Sequence, residues 1–118
     1  MIIKGNVHTL NGPVDIKDLK VGDKVIDFGH RPQEVKNIKV HSVKDAILFK
    51  KNKNIMVSTD TMLYTLYGIK NVDVSVKMVL PTGGVANDET VVEEGEFKGY
   101  EIEFDGDGIF VENYCVGA

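Results

Sequence analysis

A single cysteine, three histidines and two carboxylate-rich segments are the groups in this chain that could do chemistry. Cys115 lies in ENYCVGA among Phe110, Val111, Tyr114 and Val116. A nucleophilic thiol needs a lowered pKa and a nearby base, and no local feature supplies either, so a buried structural thiol is expected. In EFDGDG, the residues Glu103, Asp105, Asp107 and Gly108 match the first half of a calcium loop, with oxygen ligands at alternate positions and a turn glycine. The closing bidentate glutamate is missing, because Tyr114 falls at that position while Glu112 lies near it. The flanking helices are missing too, so an acidic turn between strands is expected and Glu103, Asp105 and Asp107 stand as a weak metal candidate. NDETVVEEGE carries five acids, which suits a solvated strand edge or a surface facing a basic partner. A glycosidase pair would want aromatic sugar platforms, and the chain has no tryptophan. PTGGVAN lacks the Lys-Ser/Thr of a phosphate loop and reads as a flexible loop. His8, His30 and His41 fit no metal-ligand spacing and are expected to be exposed or hydrogen-bonded strand residues.

The elements that must position these groups are short. Apolar residues mostly alternate with polar ones, the period of a strand. Val14 and Ile16 alternate with Asp15 and Lys17, VDIKDLK offers one helical turn, and a strand follows at Lys24–Phe28, broken by Gly29 and Pro32. EVKNIKVHSV places Val35, Ile38, Val40 and Val43 on one side, with a slip near Asn37. DAILFKKNKNIMVST reads as a hairpin, Ala46–Phe49 against Ile55–Val57, with the lysines at its solvated tip. A break at Gly68 precedes the alternation Val72, Val74, Val76. Pro81–Glu89 is the clearest loop. The closing third reads as strands separated by Gly95, DGDG and Asn113. No stretch sustains a helical apolar face over three turns. Many short strands that must hide their edges imply an all-β, compact barrel or sandwich-like fold.

The 118 residues suit one domain, 1–118, and 42% hydrophobic with 27% charged residues suits a soluble globular protein. The net charge of −4 and the absence of a dense basic stripe argue against a nucleic-acid partner. No apolar run is long enough for a membrane span, so no membrane partner is expected. A lone cysteine allows neither an intrachain disulfide nor a multi-cysteine zinc site. A cytoplasmic or virion-associated location, no cofactor, and an unidentified protein partner are the corresponding expectations.

Three segments carry a resemblance. Gly5, Gly12 and IKDLKVGDKV (Ile16 to Val25) resemble the opening block of Hint domains, the hedgehog/intein autoprocessing fold. IMVSTDTMLYT resembles their second block, a strand running into Thr-x-x-His. GYEIEFDGDGIFVENYCVGA resembles the closing blocks, which end in His-Asn. The three fall in the family's order and span nearly the whole chain. The resemblance implies a pseudo-symmetric β fold of many short strands, of minimal size, without a homing-endonuclease insertion.

The resemblance also implies a chemistry. A Cys or Ser at the first position attacks the preceding carbonyl, a second-block histidine moves the proton, and a terminal asparagine cyclises. Residue by residue, Met1 falls at the nucleophile, Ser58 at the family threonine, Thr61 at the histidine, and Gly117 and Ala118 at the terminal His-Asn. A thioether has no proton to lose, and an initiating methionine has no upstream bond to cleave. In the opening stretch only Thr9 offers a hydroxyl. A threonine hydroxyl cannot shuttle protons near neutral pH as an imidazole does. The expectation is therefore a domain without catalytic residues, acting as a structural or protein-interaction module, with a phage or viral particle as one setting. Its strand edges and the Pro81–Glu89 loop would be the contact surfaces. The alternatives are residual splicing or self-cleavage through Ser58, Thr61 or Cys115, and calcium-dependent binding.

Overall fold

The computed structural model describes residues 1–65, 68–72, 76–79 and 85–117, and the fold is all-β. Its strands are β1 (Ile2–Lys4), β2 (Asn6–Thr9), β3 (Gly12–Asp15), β4 (Lys24–Ile26), β5 (Pro32–Glu34), β6 (Asn37–Phe49), β7 (Met56–Val57), β8 (Met62–Thr65), β9 (Gly68–Asn71), β10 (Val76–Val79), β11 (Val85–Asp88), β12 (Thr90–Glu103), β13 (Ile109–Val111) and β14 (Tyr114–Val116). The only helical element among the described residues is one 3-10 turn at Ile16–Asp18, started by the Asp15 carboxylate accepting from the Lys17 N–H.

β1, β12, β6 and β7 close into a small barrel. Closure depends on Ile2, which lies opposite both Tyr100 of β12 and Val57 of β7. The second sheet runs β11-β10-β8-β14-β13-β2-β4-β5, with β3 added on β2 and β9 on β8. It repeats one arrangement twice. β2 carries its hairpin partner β3 and a second neighbour β4, and β8 carries β9 and β10 in the same way. The β13–β14 hairpin joins the two halves, β13 on β2 and β14 on β8. That duplication is the pseudo-symmetry expected above.

The core between these layers holds Ile2, Val7, Ile47, Phe49, Val57, Leu63, Ile109 and Val111. β13 and β14 are buried at every position because sheet neighbours and both faces are covered. Phe110 is fully buried, with the His30 ring 5.0 Å from it and His8 on another side at 6.4 Å.

Several local readings change. Asn37–Phe49 is one long strand, paired with β12 from Asn37↔Glu103 to Phe49↔Thr90. Val40 and Val43 therefore point to opposite faces, and Val40 is 57% exposed. Gly95 does not divide two strands. It sits at a bulge in β12, at φ 147°, where its N–H donates to the Asp45 carboxylate. Val85–Asp88, expected as loop, is strand β11, because its backbone pairs residue for residue with β10. Of the rest of that expected loop, Glu89 lies between β11 and β12 outside any strand, while 81–84 and the position of Val74 lie outside the described residues. His30 is not a strand residue. It sits at φ 61° in the turn between β4 and β5, donating its backbone N–H to the Asp27 carbonyl.

Candidate functional site

The residues that the resemblance aligns with reacting groups are brought together at one place. Ser58 and Thr61 flank the turn after β7, which is closed by the Thr61 N–H donating to the Ser58 carbonyl at 3.1 Å. That turn puts both hydroxyls on one side, 2.9 Å apart. Both accept from the Met1 nitrogen, Ser58 Oγ at 2.7 Å and Thr61 Oγ1 at 2.8 Å. Each hydroxyl sends its own proton elsewhere, Ser58 to the Asp60 carboxylate at 2.5 Å and Thr61 to the Met1 carbonyl at 3.2 Å. The Ser58 backbone N–H also donates to that carbonyl, at 2.8 Å. Met1 is thus held at both its nitrogen and its oxygen, and the clasp seats β1 in the barrel.

The thioether of Met1 occupies space that a missing side chain leaves. A Cβ on Gly99 would lie 3.3 Å from Met1 Cβ and 3.4 Å from Met1 Sδ. Gly99 pairs with His41, whose Nε2 lies 2.9 Å from Glu101 Oε1. Glu101 and Asp60 are the two carboxylates whose charges reach the Met1 amine. At the other end of the chain, the Gly117 N–H donates to the Met62 carbonyl at 2.9 Å, one residue beyond Thr61. The described chain ends therefore lie beside the same short segment, Ser58 to Met62. Ala118 lies outside the described residues.

Electrostatics shift two groups at the site. Burial pushes the Met1 ammonium below its ordinary 8.0, and the Asp60 and Glu101 charges offset this only in part. The Ser58 hydrogen bond and the nearby ammonium hold the Asp60 carboxyl below its ordinary value, against the opposing effect of burial. No histidine is bonded to Ser58 or Thr61 among the described residues. His8 donates from Nε2 to the Glu112 carbonyl, and His41 is paired with Glu101.

The depressed amine sets the sign of a pH effect. Between its folded value and 8.0 the unfolded chain binds more protons than the folded one, so stability from this group rises with pH through that window and levels off above 8.0. Urea unfolding of the chain with a free and with an acetylated Met1 nitrogen measures it. The slope across this window should be present in the first and absent in the second.

The other candidates stay apart. Cys115 is fully buried, and burial together with the Asp27 charge pushes its thiol up to about 12, so it is no nucleophile near neutrality. Glu103 and Asp105 face lysines instead of a shared cation, Lys39 at 2.9 Å and Lys36 at 2.6 Å. Among the described residues no three carboxylate, histidine or cysteine side chains are grouped to hold a metal. The Thr9 hydroxyl closes its own hairpin turn on the Gly12 carbonyl. Asp60, Glu101 and His41 were not anticipated in the site. Asp60 follows Ser58 at the short spacing of a side-chain turn, a signal that could have found it. Glu101 and His41 come from other strands and leave no local trace.

No family model and no curated protein sequence matches the chain. Solved structures do. The gp41-1 intein superposes with a TM-score of 0.78 at 20% identity, over 98% of this chain and 95% of its own. A bacterial intein-like domain from Clostridium thermocellum gives 0.79 at 19% identity, over 98% and 96%. The MchDnaB-1 intein gives 0.77 at 14% identity, over 100% of both chains. With its paired half-sheets, its closed β1-β12-β6-β7 barrel and its adjoining chain ends, this chain has the Hint fold of inteins and intein-like domains.

Proposed function

We propose that this Hint-fold domain carries out no autoprocessing and serves as a structural or protein-interaction module. The observation that carries the reading is the identity of the residue in the clasp. An N-to-S or N-to-O acyl shift forms a bond from a side-chain S or O to the preceding carbonyl carbon, breaks the C–N bond, and delivers a proton to the leaving nitrogen. Attack by the Met1 sulfur would give an acyl sulfonium that has no proton to shed, in a half-buried site. The hydroxyl of Thr61 stands where an imidazole would be needed to move protons.

A second reading has one specific observation in its favour. Were a residue joined to the Met1 nitrogen, its carbonyl carbon would lie about 1.33 Å from that nitrogen, within reach of Ser58 Oγ. Ser58 already directs its proton to Asp60. Attack would form an ester on Ser58 and break the C–N bond, with the hydroxyl proton taken up by Asp60 and handed on to the leaving Met1 nitrogen, which departs as a free amine. Two facts weigh against it. Ser58 Oγ accepts from the Met1 nitrogen, so its lone pair faces the N–H instead of the carbonyl face. The Asp60 carboxyl is lowered, which makes it a poorer base, opposite to what general-base catalysis requires.

The test is intact-mass spectrometry of a fusion carrying a folded domain before Met1 and another after Ala118. A single full-length mass after prolonged incubation is the expected result. Fragments ending at either junction would reject the module reading in favour of residual splicing or cleavage.

A further inference from the structure

We propose that the open edge of β12, from Thr90 to Glu96, is a docking strip for a basic, extended strand of another polypeptide. This rests on the reading of the domain as an interaction module and names the chemistry of its partner. β12 pairs with β6 along its whole length on one edge. On its other edge it pairs only with β1, at Tyr100. The backbone N–H and C=O groups of that edge before Tyr100 therefore face no strand among the described residues, and such an edge is a template for strand addition.

Two further features mark the same strip. Val91 and Val92 are 44% and 60% exposed, one on each face of the β6–β12 ribbon. With Leu48, Phe49, Lys50, Lys53 and Glu93 they line an open groove of about 660 Å³, in which Lys50 is already paired with Glu89. The charge is unbalanced as well. Lys36, Lys39, Lys50 and His41 are each matched by a carboxylate, Asp105, Glu103, Glu89 and Glu101. Glu93, Glu94 and Glu96 are exposed and have no ion pair among the described residues, and of the three only Glu96 has a lysine, Lys44, opposite it in register. Charges and a bulge at Gly95 are also how an edge is blunted against self-pairing. A purely protective edge has no use for two exposed valines beside its charges, whereas a strand that sets two adjacent apolar residues opposite Val91 and Val92 and two adjacent basic residues opposite Glu93 and Glu94 meets both on each face. A second copy of this chain is the poorer occupant, because antiparallel β12–β12 pairing sets glutamate against glutamate.

The measurement is fluorescence anisotropy of labelled octapeptides titrated with the whole chain. One Lys-Val peptide repeats Lys-Lys-Val-Val, a Glu-Val peptide repeats Glu-Glu-Val-Val, and a third is the Lys-Val peptide with N-methylated alternate peptide nitrogens. The Lys-Val peptide should bind about tenfold more tightly than the Glu-Val peptide, as several rim charges of a few tenths of a kcal/mol each would give. N-methylation should abolish binding, and raising the salt should weaken it. In the Glu93→Lys/Glu94→Lys chain, with its β circular-dichroism spectrum retained, the preference should invert. Equal binding of the two charge types, undiminished binding after N-methylation, or no binding of the Lys-Val peptide would each overturn the proposal. So would sedimentation showing a dimer that the peptide does not dissociate. The two experiments separate. An uncleaved fusion with no peptide binding rejects the strip and leaves the inert domain, and a cleaved fusion rejects the inert domain whatever the peptides do.

Discussion

Phe110→Ala should lower the free energy of unfolding by about 3–5 kcal/mol, the range for truncating a fully buried aromatic that neighbours cannot collapse onto. Phe110 has no exposed surface and lies mid-strand in β13, opposite Cys115 of β14. Its neighbours are held elsewhere. His8 is bonded to the Glu112 carbonyl, and His30 sits in a turn fixed on Asp27, whose carboxylate also accepts from the Arg31 N–H and the Gln33 amide. The cavity would therefore persist. Because β13 and β14 link the two halves of the larger sheet, the loss should appear as one cooperative shift of the urea midpoint. Against a total stability of roughly 5–15 kcal/mol for a small domain, that is about a fifth or more of the whole, so the urea midpoint should fall by at least that share.

Thr61→Val should cost about 1–3 kcal/mol, the usual penalty for leaving buried polar partners unmatched. The substitution keeps the shape and removes one hydroxyl. That hydroxyl accepts from the Met1 nitrogen and donates to the Met1 carbonyl. Because Ile2 follows directly and closes the barrel against Tyr100 and Val57, the change should loosen β1 before the rest. Amide hydrogen exchange reads this. Protection should fall first at β1 and at Val57, with β13 and β14 keeping the global value. Uniform loss across all strands would mean that the hydroxyl supports the fold generally and does not act as a clasp on Met1.

The fold was legible where alternation ran through short segments bounded by Gly, Asp and Asn. The hairpin of Ile47 and Leu48 with Met56 and Val57 is one such place, and the single turn at Ile16–Asp18 is another. Alternation failed on the long ribbon. A 13-residue strand facing a 14-residue one carries exposed residues on both faces over part of its length, so Val40 and Val92 obey no inward pattern. Gly95 looked like a break because a glycine at positive φ marks a turn and a bulge alike. Val85–Asp88 was hidden because its strand character comes from pairing with β10 and not from its own residues.

The residues singled out for the site lie together, and what the sequence did not show is how they touch. The order of the three segments located Met1, Ser58 and Thr61. Judged only as replacements for reactive groups, they were empty positions, yet in space the two hydroxyls grip Met1 at both ends of its backbone. Nothing in the spacing of Met1 to Ser58 or of Met1 to Glu101 foretells that contact, since it depends on barrel closure. Asp105 shows the converse. Its spacing with Glu103 and Asp107 read as an acidic turn with a weak cation-loop alternative, and Lys36, from a distant part of the chain, meets it at 2.6 Å.

Trapping the first step with hydroxylamine tests the central claim most directly. Any ester or thioester at the Met1 clasp would be cleaved by it, leaving a hydroxamate on the upstream segment of a fusion that stays intact without it. The account predicts no hydroxamate from the unaltered domain, at any pH from 6 to 9. A hydroxamate that disappears in Ser58→Ala would contradict it, and would identify Ser58 as a working nucleophile.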